Sequence, residues 1–322
     1  MKKIISIVLS LCWVTISLAK QTLDYTDYHQ GVVNAETFIA DEKYKEALKV
    51  YEDLFDSYDF VFLREYQIAT QLALYLGDRQ KAKKLLIEGI KSGWTIKSIR
   101  KNNYLDTFRA SEDWKTIKNQ YRTLNVKYNA SINHDLKNKV KKMYSKDQRK
   151  ALGALFRFSS KAQDRYAERK FAPHSADQMK LFLEILDTYG YPGEKLVGKE
   201  YWMSTILSHH NSISTTYNRN DTLYRHIQPK LKRALEKGEI SAFSFAMIEE
   251  WYRAVVNLEE LPTYGILDAP LQKDLEVANS LRKEVYLRSI ETHNKLVTAE
   301  EKTGMDFYLD SHPWTPGRIE IR

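Results

Sequence analysis

Breaks in this chain are scarce. Its 322 residues contain 7 prolines and 12 glycines, and no stretch sustains the period-two alternation of Val, Ile and Thr that marks β-strands. Proline and glycine are the residues that most readily end helices, so their scarcity together with helical apolar spacing predicts a mostly α fold. The punctuation that exists falls at Asp56-Ser57, Gly77-Asp78, Gly93, Asn125 to Asn133, Ala172 to Ser175, Gly190 to Gly193, Gly238 and Leu261 to Gly265.

The N-terminus reads as an export signal. Lys2 and Lys3 precede an apolar run from Ile4 to Ile16, and Ser17-Leu18-Ala19 offers the small residues a signal peptidase accepts. Cleavage after Ala19 is expected, giving a periplasmic or extracellular protein. The apolar run is shorter than the roughly 20 residues that span a bilayer comfortably, so no transmembrane segment is expected in the mature chain. The single cysteine, Cys12, lies inside this run, preceded by Leu11 rather than by the small residue of a lipoprotein signal. A mature chain without cysteine has neither disulfides nor thiolate chemistry, and must be stabilised by packing.

The formal net charge is +8. Removing Lys2 and Lys3 leaves 48 basic against 42 acidic side chains, a mild excess in which Lys and Glu are interleaved. That pattern describes a solvated helical exterior, and with no basic block it excludes nucleic acid as the expected partner.

The chain divides into a signal peptide over 1–19, helical repeats over 20–130 and a helical-bundle domain over 131–322. From His29 to about Asn125 it resembles degenerate tetratricopeptide repeats. Ala35 and Phe38 fall in one helix, Ala47 and Tyr51 in the next, and Ala82 and Leu86 follow at a spacing near the 34-residue period of that family. Small residues where helices cross closely, with large ones beside them, suit stacked helix pairs. Trp94, Leu105, Phe108 and Trp114 read as a capping half-unit. Such repeats imply a protein or peptide partner held on the stacked helices.

Three asparagines in the nine residues from Asn125 to Asn133 suggest a linker. A long helix is expected from about His134 to Lys170, with Val140, Met143, Leu152, Leu155 and Phe156 on its apolar face. Ser175-Ala-Asp-Gln178 has the form of a capping box opening the next helix, Gly190 is placed to close it, and a further helix over about 199–211 carries Trp202, Ile206 and His209-His210.

A second series of residues follows in order: Asp147-Gln148, Asp177, Gly190-Tyr191-Pro192 with Val197-Gly198, His209-His210, Gly238-Glu239, Glu249-Glu250 and Tyr264-Gly265. Over about 135–290 this resembles an uncharacterised bacterial domain family of unknown function, which in some proteins follows tetratricopeptide-like repeats. His210 matches the histidine of that pattern, while His209 stands where the family has Gln. Arg149 directly follows Gln148, Glu250-Trp251 replaces an Asp-Arg pair, and Ile266-Leu267 ends the last motif differently. The resemblance implies no particular activity.

Two functional readings follow. The first is an envelope binding or scaffold protein that uses its helical repeats. The second is a hydrolase-like or metal-dependent enzyme, with His210 as base or metal ligand, Asp147, Asp177 and Glu250 as carboxylate partners and Tyr264 as an orienting group, since imidazole and carboxylate can activate water or bind divalent ions. Neither reading specifies a cofactor, and none of His-Glu-x-x-His, Gly-x-Ser-x-Gly or a phosphate-cradling loop occurs. His209 and His210 lie about 100° apart around their helix, so one should face the core and the other solvent.

Overall fold

A computed structural model describes residues 24–155, 160–256, 262–309 and 317–322. The export signal, Cys12, Phe156 and Leu261 lie outside the described residues. Helices dominate, and no strand occurs among the described residues.

The first four helices form two packed pairs: α1 (Thr26–Ala40) on α2 (Tyr44–Ser57), and α3 (Leu63–Tyr75) on α4 (Arg79–Lys91). Ala35, Ala47, Tyr51, Ala82 and Leu86 are completely buried at these crossings. Gly77, at φ 78°, turns the chain between α3 and α4, and Asp78 opens α4 by accepting the Lys81 N–H at 3.0 Å. Short helices α5 (Ile96–Lys101) and α6 (Asp106–Arg109) lead into α7 (Glu112–Ser131). There Trp94, Phe108, Trp114 and Ile117 close a small core with Leu86 and Ile90.

The expected linker at Asn125 to Asn133 is helical for most of its length, because α7 runs to Ser131. Its polar composition has a different cause: α7 buries Trp114 and Ile117 near its start, and its later turns lie on the surface. Asn129 donates to Asn125 one turn back at 2.8 Å, and Asn133 caps the next helix through the Leu136 N–H at 2.9 Å.

That helix, α8 (His134–Leu155), buries Val140 and Met143 but leaves Leu152 exposed, and the expected run to about Lys170 passes through residues 156–159, which lie outside the described residues. The following helical run is continuous where a break was expected. It comprises α9 (Ser160–Tyr166), a π turn over Ala167–Phe171 and α10 (Ala172–Tyr189). Pro173 is accommodated directly after the wider turn, in which the Ala172 N–H reaches the Ala167 carbonyl. A π turn shifts the hydrogen-bond register where a proline would otherwise interrupt it. The capping box is therefore absent: Ser175 and Gln178 lie within α10, and both point their polar groups at neighbouring helices. Gly190 does end α10, at φ 87°.

The second half continues through α11 (Glu194–Val197), α12 (Tyr201–Asn211), α13 (Thr215–Asn220), α14 (Leu223–Glu236), α15 (Ala242–Val256), α16 (Leu275–Glu284) and α17 (Ile290–Thr303). Met179, Phe182, Ile206, Leu207, Ile227, Leu231 and Ile248 make its core. Among the described residues no helix is long and apolar enough to cross a membrane.

The chain closes on itself. Helix α17 packs on α1, and Leu296, Ala299, Met305 and Phe307 belong to the same core as α1 to α4. A second contact joins the halves where the Tyr25 N–H donates to the Glu236 carbonyl at 2.9 Å. Gly238 permits it: its φ is 63°, and a Cβ there would run into the Tyr25 ring.

Candidate functional site

The face shared by α1 and α3 carries Glu36, Arg64, Gln67 and Gln71. The last three recur at helical spacing beside the buried Ile68 and Leu72, so they form one polar strip along the helix. This strip holds the non-helical segment from Gly304 to Leu309. The Gln71 amide meets the backbone of Asp306 at two points, donating to its carbonyl at 2.6 Å and accepting its N–H at 2.8 Å. Arg64 donates to the Tyr308 carbonyl at 3.2 Å and Asn102 to the Tyr308 hydroxyl at 2.8 Å. Met305 and Phe307 are buried while Asp306 between them is exposed. The segment is thus recognised through its main chain, with alternate side chains pressed into the helices.

Beside it lies a cavity of about 280 Å³ at the junction of the two halves, lined by residues of α1, α3, α11, the start of α15 and the turn before α17. One wall is an ion cluster. Glu36 accepts from Arg64 Nη2 and Arg288 Nη1, both at 2.7 Å. Burial raises the Glu36 carboxyl, but the two guanidinium groups outweigh it and hold the group below its usual range.

The other wall holds Glu65, Glu194 and Glu200. Burial is the largest influence on each and raises all three. Glu65 reaches about 7 against the lowering effect of Arg64, and Glu194 reaches about 8 with the Glu200 charge adding to burial. Glu200 is raised by burial against the lowering effect of hydrogen bonds from Ser241 and Ser244. Glu194 also ties the halves by accepting the Leu63 N–H at 2.7 Å. His29 is neutral here: burial depresses it to about 4, and its Nε2–H points at the Leu235 carbonyl at 3.0 Å.

The residues singled out from sequence divide among separate roles. Asp147, fully buried, accepts from His209 Nδ1 at 2.6 Å. His210 is 1 % exposed. Its Nδ1 meets Ser175 Oγ at 2.9 Å and its Nε2 meets Asp221 at 3.1 Å. With both ring nitrogens engaged, no lone pair remains for a metal. This Asp221–His210–Ser175 order matches the polarity of a hydrolytic triad, but Ser175 is fully buried, so the relay locks α10, α12 and the start of α14 together. Burial raises the Asp221 carboxyl, but the His210 bond and the Tyr224 and Leu223 N–H groups outweigh it and lower it.

Asp177 is exposed and faces Lys180 at 3.5 Å. Glu250 accepts the N–H groups of Tyr264, Ile266 and Leu267 at 2.6, 2.9 and 3.2 Å. It thereby anchors the loop in which Tyr264 is itself buried. The two histidines do divide as their angular separation requires, since the His209 side chain is 30 % exposed. Among the described residues no group of three or more His, Cys, Asp or Glu side chains is arranged to hold a metal ion.

If the relay is structural, His210→Ala should cost about 1–3 kcal/mol, because Ser175 and Asp221 lose a buried partner. Chemical denaturation of the two proteins checks this, and an unchanged midpoint would show that the relay contributes nothing to the fold.

The chain matches no family model, no curated protein and no solved structure.

Proposed function

We propose that this chain is an exported binding protein whose N-terminal helix pairs act as a tetratricopeptide-like module for extended peptide segments. The observation that carries this reading is the two-point contact of Gln71 with the Asp306 backbone. A side-chain amide aligned with both polar groups of one residue reads main chain rather than sequence, and alternate pockets add a preference for spaced apolar side chains. Completely buried Ala35, Ala47 and Ala82 at the crossings support the repeat assignment. The resemblance of the second half to a family of unknown function is compatible with a scaffold that presents such a module.

In this reading the chain's own residues 304–309 show what the face accepts, and a partner segment of similar pattern competes for it. A fluorescent peptide of sequence Gly-Met-Asp-Phe-Tyr-Leu, added to full-length Phe307→Ala chain of verified fold, should bind in trans. Adding Gln71→Ala should weaken that binding about tenfold or more, about 1.4 kcal/mol. No binding at saturating peptide, in a variant whose melting curve shows it folded and whose amide exchange shows residues 304–309 released, would remove the basis of the proposal.

A further inference from the structure

Independently of peptide binding, we infer that the cavity between the two halves is a site for a small organic cation, a primary amine held among Glu65, Glu194 and Glu200. Three carboxylates from α3, α11 and the residue preceding α12 converge on one cavity. Glu65 is 4 % exposed, and its Oε2 has no hydrogen-bond partner; Oε2 of Glu200 is buried in the same condition. Buried carboxylate oxygens are ordinarily paired, so this wall is short of donors.

The neighbouring cations are committed elsewhere. Arg64 and Arg288 both hold Glu36 at 2.7 Å, Arg64 also donates to the Tyr308 carbonyl, and Arg288 to His293 at 3.2 Å. Arg64 approaches Glu65 no nearer than 3.9 Å. His29 is neutral and bonded to a carbonyl, and Lys199 acts on Glu194 as a minor influence. An anionic ligand would have to displace Glu36 from the arginines, whereas a cation meets carboxylates with free acceptor sites.

The remaining lining suits the same ligand. Phe62, Phe243 and Tyr286 also line the cavity, and aromatic side chains attract ammonium groups, the more so when desolvated. A volume of about 280 Å³ admits an alkylamine of a few heavy atoms rather than a drug-sized molecule. Burial lifts Glu65 to about 7 and Glu194 to about 8, so below those values an entering ammonium must displace protons, and binding should tighten as pH rises.

The test is calorimetric titration of the full chain with 1,4-diaminobutane at about pH 8.5 and about pH 6, with sodium chloride at matched ionic strength as control. The expected result is saturable binding, about tenfold or more tighter at the higher pH and accompanied by proton release. Glu65→Gln and Glu194→Gln, each replacing a protonated carboxyl by its neutral analogue and each checked by its melting curve, should weaken binding about tenfold. Glu200→Gln serves as a third variant should either of these fail to fold. Heats indistinguishable from the sodium chloride control, or undiminished affinity in every folded variant, would overturn the assignment.

Discussion

Replacing Glu36 with Gln should lower stability by about 3–5 kcal/mol, the usual cost of removing one partner from a buried ion cluster. The size of the effect follows from the position. The Glu36 side chain is 4 % exposed and that of Arg288 is 6 % exposed, so after substitution two guanidinium groups face a neutral amide with little water to replace the lost charge. The cluster also joins α1, α3 and the turn before α17, so its loss loosens the closure of the chain ends. A melting temperature lowered by roughly 10 °C is the corresponding thermal readout, and a shift within experimental error would show the arginines to be satisfied by other groups. The pH dependence has a defined sign. The folded carboxyl lies below its ordinary value, so its contribution is fully present above the unfolded pKa and is lost as pH falls through the folded one. Wild-type stability should therefore fall at acid pH more steeply than that of Glu36→Gln.

Glu65 and Glu194 should produce the opposite dependence. Their folded values of about 7 and about 8 lie above the ordinary 4.5, so the native state binds more protons than the unfolded chain across that interval. Stability therefore declines as pH rises from the ordinary carboxylate range, with the full penalty reached above the folded values. Shifts of this size correspond to penalties on the order of 3 kcal/mol for Glu65 and 5 kcal/mol for Glu194. Glu65→Gln and Glu194→Gln should accordingly be more stable than wild type at about pH 9 and nearly equal to it at about pH 5. Melting curves across that range decide it: parallel curves for variants and wild type would mean that both carboxyls are already ionised at neutral pH. With Glu36 acting on the acid side and these two on the alkaline side, maximal stability should fall between.

Much of the local structure was legible in the sequence, and the reasons are local. Few prolines and glycines with helix-period apolar spacing pointed to a mostly α chain, and Ala47 and Ala82, picked out as small residues for helix packing, are completely buried. Gly190 marked a helix end because a positive φ suits glycine. The sequence also required His209 and His210 to face different ways, since adjacent helical residues diverge by about 100°.

What pairs with what was decided by the tertiary structure. Asp147 took His209 rather than His210, and His210 took Ser175 and Asp221, because the relative rotation of α8, α10 and α12 sets those partners and no spacing in the chain encodes it. Ser175 read as a helix cap, but a π turn carried the helix through Pro173 and turned the hydroxyl inward. Glu36, Arg64 and Arg288 looked like ordinary surface charges in a chain that interleaves them throughout, and became a buried cluster once α17 returned to α1. The polar strip of Arg64, Gln67 and Gln71 could have been noticed at its helical spacing, but nothing in the sequence identified Asp306 as its partner. That contact spans 235 positions, and separations of that length are fixed by the packing of the whole core rather than by the propensity of any segment.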